Sequence, residues 1–486
     1  MRFALTVLLI LSGHAYAREA AFAGKFYPGD KAELAGFVDS ALAKAEVPSL
    51  TGRVRAIISP HAGYPFSGAV AAYAYRAANT EYDLVVILGA GHTVAVKGAG
   101  LLAEGYYETP LGKVPVDEKL AAELIKTGPL FENRPDAHVN EHSIEVQLPF
   151  LQRRLKKPFK ILPMVLNNAG QDDLALIGRI LAQKLKGRKA LIVASTDFSH
   201  YPDHRDAVIV DKTLSLAIKT MDPGYFLLAS RILLAKEVPG LGTCACGEAA
   251  AAAAMSAVNG LGPARFVELK YADSYDRAPD LTGPEKVVGY IAGVFVESAQ
   301  PVAGNIALSP GQKKELLVSA RTGIGDRLSG KEAKRDLLSK EYAFNLPAAV
   351  FVTLTENGAL RGCVGTIEPR MGLLDAVRYG ANAAAFEDTR FRPLGKGELE
   401  KIKVEISVLS PLRKAADAKE IIPHKQGVVI VQGSHSGLFL PQVWEQIPGK
   451  EEFLGELCSQ KAGLARNCWK DKKTELYIFT VDSFKE

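Results

Sequence analysis

The sequence predicts an α/β N-terminal domain, a mostly parallel sheet with helices on both faces, followed by a smaller α+β domain. Three observations predict it. Apolar runs at residues 54–58, 84–88, 161–165, 190–194 and 287–296 alternate with helical patterns, which is the signature of βαβ units. A small, Pro-containing stretch at 298–304 then reads as a linker, after which strand and hairpin signals dominate. Finally, 486 residues exceed one ordinary hydrophobic core.

The first seventeen residues stand apart. Arg2, an apolar core at 3–11 and the small-x-small end Ala15-Tyr16-Ala17 read as a secretory signal cut after Ala17. The apolar core is well short of the ~20 residues a spanning helix needs, and no Cys follows it to take a lipid. The expectation is an exported protein, periplasmic or secreted, without a membrane anchor once the signal is removed. Five Cys are an odd number for an oxidising compartment, so at least one stays free or binds something, and Cys458 and Cys468 are candidates for a disulfide. The 59 basic and 54 acidic residues are interspersed, and a net charge of +5 without charge runs gives no footprint for nucleic acid.

In the mature chain, residues 18–30 form a small-residue turn region before a helix at 31–45 with Leu34, Val38 and Leu42 on one face. The strand at 54–58 runs into Ser59-Pro60-His61-Ala62-Gly63-Tyr64, the strand at 84–88 into Gly89-Ala90-Gly91-His92, and the strand at 190–194 into Ser195-Thr196-Asp197-Phe198-Ser199-His200. Each of these His residues follows a strand. In open α/β sheets ligands collect beyond the carboxyl ends of the strands, so convergence of His61, His92 and His200 is the simplest reading. A helix opening at 136 carries His138, Glu141, His142 and Glu145, with each His and Glu pair four residues apart and so on one face if the helix runs that far. Dipole-favoured acids at a helix start, orientation of a ligand, and direct ligation are the alternatives there. Cys244-Ala245-Cys246-Gly247 precedes an Ala-rich helix at 249–258, a placement in which the dipole stabilises a thiolate for ligation or reaction.

Beyond the linker, Ser309-Pro310 caps a helix through about Leu328. Strands at 348–354 and 360–367 flank a hairpin turn at Glu356-Asn357-Gly358, and further strands at 404–409, 427–431, 437–440 and 476–481 are separated by helices at 373–386 and 450–462. Arg361-Gly362-Cys363 puts a thiol beside a guanidinium, and Arg390 offers a second cation; with the α+β setting, a site at Arg361, Cys363 and Arg390 stands against a buried strand Cys with glycine-dictated bends.

Residues 18–297 resemble the Memo-like family, the B component of the AmmeMemoRadiSam group. The likeness is carried by Arg18-Glu19-Ala20 with Ala23-Gly24 and Tyr27-Pro28, Pro60-His61-Ala62-Gly63-Tyr64, Leu88-Gly89 with His92, Glu141-His142-Ser143-Ile144-Glu145 with Leu148-Pro149, Ser195 with Asp197-Phe198 and His200, and Cys246-Gly247. Residues 305–486 resemble the AMMECR-like A component through Leu360-Arg361-Gly362-Cys363-Val364-Gly365, Asp388 with Arg390-Phe391, and Pro441-Gln442-Val443-Trp444. A natural B–A fusion is the domain organisation this implies. The Memo-like fold is similar to that of class III extradiol dioxygenases, so the resemblance implies a metal on His61, His92 and Cys246 with His200 as acid/base. Asp197, Glu141 and His142 then orient or complete the site. A thiolate in place of the usual carboxylate departs from the facial triad and suits copper or zinc as well as iron(II).

Three functions follow as expectations. One is a non-heme iron(II) or copper redox enzyme acting on a small molecule. Another is a zinc hydrolase, since two His, a Cys and a water make a reasonable catalytic zinc site. The last is a protein that binds a small molecule or peptide in the same pocket without turnover. A radical S-adenosylmethionine partner is expected by family association.

Overall fold

A computed structural model describes residues 17–78, 81–301, 307–331 and 337–486. The expected leader lies outside the described residues except for Ala17. The chain separates into two compact units, the second gathering the residues from 307 onward together with Lys212–Thr220 and Leu228–Val238. Among the described residues no helix is long and apolar enough to cross a membrane.

The strands of the first unit are β1 (Ala17–Arg18), β2 (Val54–Ser59), β3 (Leu84–Ala90), β4 (Ala99–Leu101), β5 (Tyr106–Thr109), β6 (Gly112–Pro115), β7 (Phe131–Asn133), β8 (Lys160–Leu166), β9 (Ala190–Ser195), β10 (Ala264–Asp273) and β11 (Gly289–Glu297). Between them run α1 (Lys31–Lys44), α2 (Tyr64–Ala77), α3 (Glu118–Ile125), α4 (Asp136–Val139), α5 (His142–Glu145), α6 (Leu148–Arg154), α7 (Gln171–Leu185), α8 (His204–Lys219), α9 (Pro223–Leu234), α10 (Glu248–Gly260) and α11 (Ser274–Arg277). Eight strands make one sheet in the order β10-β11-β2-β9-β3-β8-β4-β7. The central strands β2, β9, β3 and β8 are parallel, as the alternating pattern predicts. The margins are not. β11 runs antiparallel to β2 and to β10, and β4 antiparallel to β8, so the sheet is mixed. β10 escaped the sequence reading because Arg265, Glu268 and Lys270 interrupt its apolar residues, a pattern an edge strand tolerates.

Side chains alternate across the sheet. Ile57, Val85, Ile87, Leu191 and Val193 join a core with Leu34 and Val38 of α1, Val70 and Tyr75 of α2 and Phe150 of α6. The intervening Ile58, Val86, Leu88 and Ala194 are equally buried, and α10 packs on this part of the sheet beside α7. The alanines of α10 allow a close helix pair: a Cβ on Gly178 of α7 would lie 2.3 Å from the Ser256 Cβ. Ser59 is in register with Ser195, and Leu88 with Ala194, so the loops after β2, β9 and β3 leave the sheet at one edge.

The second unit contains α12 (Pro310–Leu328), α13 (Leu373–Phe386) and α14 (Lys450–Glu456) with β12 (Ala349–Glu356), β13 (Ala359–Gly365), β14 (Ile402–Leu409), β15 (Arg413–Ala415), β16 (Gly427–Gln432), β17 (His435–Phe439), β18 (Glu475–Phe479) and β19 (Val481–Lys485). They form two four-stranded sheets, β13-β12-β14-β19 and β15-β18-β16-β17, antiparallel throughout, which is the α+β architecture expected. Asn357 and Gly358 turn the predicted hairpin with φ of 52° and 83°. The helix expected over 450–462 keeps α geometry only to Glu456 and continues as a π turn, Leu457–Lys461. Cys458 lies in that turn and is joined to Cys468 by a disulfide, with Cα atoms 6.0 Å apart.

Candidate metal centre

His61 leaves β2 through Ser59 and Pro60, and its backbone N–H donates to Asp197 Oδ1 at 2.7 Å. Its ring Nδ1 lies 3.0 Å from Ser195 Oγ. That hydroxyl donates its single proton to the Ser143 carbonyl at 2.6 Å and accepts from Gln147 Nε2 at 2.9 Å. Toward His61 it can therefore only accept, so Nδ1 carries the ring proton and Nε2 presents a lone pair. Gln147 is itself oriented, since Tyr75 donates to its Oε1 at 2.6 Å and its Nε2 also reaches the Pro60 carbonyl at 3.0 Å. Burial pushes the His61 imidazole down to about 3, so it is neutral and ligand-competent at ordinary pH.

His92 follows β3 and is held by one carboxylate. Glu141 Oε2 accepts its backbone N–H at 2.7 Å, and Oε1 sits 3.0 Å from its Nδ1. Burial pushes the Glu141 carboxyl up, but the hydrogen bonds from the His92 ring and from the backbone of His92 and Ser143 outweigh it and bring it to about 2. Glu141 also interrupts the expected helix. At φ −107° and ψ 125° it caps α5 by accepting from the Ser143 N–H, so the segment forms α4 and α5 in place of one helix. The four-residue spacing then loses its meaning. His138 turns away from His142, with Nε2 3.0 Å from the Gly100 carbonyl and Nδ1 2.7 Å from the Tyr107 hydroxyl. Glu145 accepts from the Ala21 and Phe22 backbone and from Tyr27, and pairs with buried Arg18 at 2.7 Å. Arg18 in turn donates to the carbonyls of His138 and Glu141, so the N-terminal motif clamps the α4–α5 turn.

His142 takes another direction, into the centre. Its ring centroid is 4.5 Å from that of His92 and 5.2 Å from that of His61, and Phe26 packs on it at 4.6 Å. Gly89 makes room for α5, because a Cβ there would stand 2.6 Å from Ile144 Cγ1 and Ser143 Oγ.

Cys246 approaches from the far side, its Sγ 3.0 Å from His61 Nε2. Gly247 permits the approach, since a Cβ on it would fall 2.4 Å from the Ser195 carbonyl oxygen. At the start of α10, burial, and then the Asp197 charge, push the Cys246 thiol well above its ordinary value, against the stabilisation expected from the helix dipole. Cys244 is buried and lies outside the disulfide. Asp197 is buried, and burial raises its carboxyl even though it accepts from the backbone of His61 and Ala62. His200 is fixed by its backbone, its N–H donating to the Thr243 carbonyl and its carbonyl accepting from the Gly242 N–H, while its Nε2 is buried with no hydrogen-bond partner among the described residues.

Potential ligand atoms within 4.8 Å of one another form two groups that share His61: His61 with His92 and His142, and His61 with Asp197 and Cys246. The expected set of His61, His92 and Cys246 is divided between them. The donors suit a metal ion: the His61 Nε2 lone pair faces the Cys246 Sγ at 3.0 Å, and the orphaned His200 Nε2 is a buried polar atom that an ion's water would satisfy. Ser195, Gln147 and Tyr75 had no assigned role in the sequence reading. Asp211 was also missed; it is fully buried beneath Ser199, accepting from its N–H at 2.9 Å and its hydroxyl at 3.0 Å, and burial pushes its carboxyl up to about 7. A polar residue inside an apolar run, such as Gln147 between Val146 and Leu148, is the sequence signal for such partners.

In the second unit Cys363 donates its N–H to Asp388 Oδ2 at 2.9 Å, and Thr353 donates to its Sγ at 3.3 Å. Arg390 pairs with Asp388 at 2.7 Å and bonds the Cys363 carbonyl, whereas Arg361 pairs with Glu398 at 3.0 Å. The glycine before the thiol has a packing reason: a Cβ on Gly362 would stand 2.1 Å from the Ala384 carbonyl of α13.

Comparison with known proteins gives two family matches, Memo-like protein over residues 18–294 and AMMECR1 over residues 317–484. A MEMO1 family protein of Nitrosopumilus maritimus is 36% identical over 285 residues, covering 57% of this chain and 99% of that protein. One from Aquifex aeolicus is 34% identical over 279 residues, covering 57% and 99%. An uncharacterized protein from Pyrococcus horikoshii of known structure matches with 34% identity and a TM-score of 0.33, covering 36% of this chain and 91% of that one.

Proposed function

Because this chain belongs to the Memo-like protein family, with an AMMECR1 region following, we propose that it is a metal-dependent redox enzyme acting on a small molecule. His61, His92 and Cys246 hold iron(II) or copper in this reading, and the AMMECR-like region is an accessory domain. The observation that carries it is the hydrogen-bond relay Tyr75, Gln147, Ser195, His61, which fixes one imidazole tautomer and turns the Nε2 lone pair toward the Cys246 Sγ, 3.0 Å away. Bound iron or copper supplies one-electron chemistry and Lewis acidity. The residues around it have separate tasks. Glu141 orients His92, and Asp197 holds the His61 loop by two backbone N–H groups. His200, kept neutral by burial, takes or returns a proton at Nε2.

Export, periplasmic or secreted, belongs to the same reading, and the Cys458–Cys468 disulfide favours it. A radical S-adenosylmethionine partner, proposed by family association, requires the opposite compartment, because such enzymes are oxygen-sensitive and intracellular.

The test is metal content. Residues 18–486 expressed anaerobically should carry near-stoichiometric iron or copper by mass spectrometry, and His61→Ala should lose it. Zinc alone would shift the reading to a hydrolase. A wild type that takes up no metal on reconstitution would leave a small-molecule or peptide recognition pocket.

A further inference from the structure

We propose that the free edge of β19 and the flank of α12 beside it form a docking groove for an extended acidic segment of a partner protein, which adds to the sheet as a further strand. The groove lies wholly within the second unit and is independent of the metal reading. β19 ends the sheet β13-β12-β14-β19, so one of its two sides is unpaired. The register identifies the backbone groups left over. Ser410 N–H donates to the Thr480 carbonyl at 2.9 Å, and Glu486 N–H to the Val404 carbonyl at 3.2 Å. Antiparallel partners exchange bonds at every second residue, so Phe484 and Asp482, opposite Ile406 and Val408, also turn their backbone toward β14. The N–H and C=O groups of Val481, Ser483 and Lys485 therefore point away from the sheet, and none has a hydrogen-bond partner among the described residues.

Between this edge and α12 lies a groove of about 570 Å³. Leu317, Val318 and Phe484 give it apolar walls, and Val318 is 56% exposed. A strand laid along β19 bonds the outward groups of Val481, Ser483 and Lys485 and sets every second side chain against those walls, the geometry of recognition by strand addition. Charge selects the occupant. Lys313 is neutralised by Asp482 at 2.6 Å and Arg321 by Glu486 at 2.5 Å, so the carboxylates of this edge are turned to α12 and do not guard it. Lys314 on the helix and Lys485 on the strand also line the groove, and neither has an ion pair among the described residues. Their charge attracts an acidic segment. A second copy of this chain would bring the same cations to the contact and be repelled.

Fluorescence anisotropy with a labelled short peptide of alternating valine and glutamate, titrated with residues 18–486, tests this. The peptide should bind, while its valine–lysine counterpart and a version methylated on its amide nitrogens should not. Lys314→Glu combined with Lys485→Glu should weaken binding on the order of tenfold or more at low salt. Ser483→Pro should also weaken it with circular dichroism unchanged, because the N–H it removes faces solvent, and Ser483→Ala, which gives up only the hydroxyl contact to Ser407, should bind as wild type does. No binding, or equal binding of the acidic, basic and methylated peptides, overturns the assignment. So does a dimer in light scattering that Ser483→Pro dissociates, since the edge then belongs to a second copy.

Discussion

At the level of single residues, the strand-ending histidines were legible because each sign is local: an apolar run, a small-residue turn, then His61, His92 or His200. From spacing alone His142 was legible as a helical neighbour of His138, and that reading failed when Glu141 broke the helix to cap α5, whereas the resemblance had already placed it at the site. The resulting fates differ, and His138 gives a pH prediction outside the metal cluster. Buried, and bonded through both ring nitrogens, it has its pKa lowered by burial to about 4, against 6.5 in the unfolded chain. The unfolded state therefore binds the proton first as pH falls. Stability present above 6.5 is lost progressively down to about 4, by roughly 3 kcal/mol for this group. Denaturant midpoints measured from pH 7 to pH 4.5 should fall more steeply for wild type than for His138→Gln. Parallel slopes would show that His138 titrates as freely in the fold as out of it.

Among the elements, apolar continuity was enough to find β2, β3, β8 and β9, since strands covered on both faces carry little else. Their parallel order followed from the helices between them. Edge strands such as β10 were invisible for the converse reason: one wet face admits charge and breaks the run. The join between β9 and α10 was half legible, as a Cys-Gly pair before an Ala-rich helix. Its logic lies in the 2.4 Å that a Gly247 Cβ would leave to the Ser195 carbonyl. Gly247→Ala should force the start of α10 off β9 and carry Cys246 away from His61. The expected cost is about 1–3 kcal/mol of stability, together with weakened metal uptake. Calorimetry and metal content by mass spectrometry read both, and unchanged values would mean that the Cys246 turn is looser than its contacts suggest.

For the whole molecule, the change of composition near 298 and the switch from alternating βα units to hairpins announced two architectures in one chain, and the family matches fall on either side of that change. Which helical segments group with which unit was beyond the sequence, because Lys212–Thr220 and Leu228–Val238 lie within the α/β half yet cluster with the second. The disulfide in that second unit has a consequence for the entire chain. Of its five cysteines, Cys244, Cys246 and Cys363 stay outside any disulfide once Cys458 and Cys468 are joined. Denatured and alkylated without reductant, a chain that has passed through an oxidising compartment should take up three labels, and one that never left a reducing cytoplasm should take up five. Intact mass on protein drawn from its native cell would therefore read out where each molecule has been, a travel record written in sulfur and independent of any assay for what the protein does.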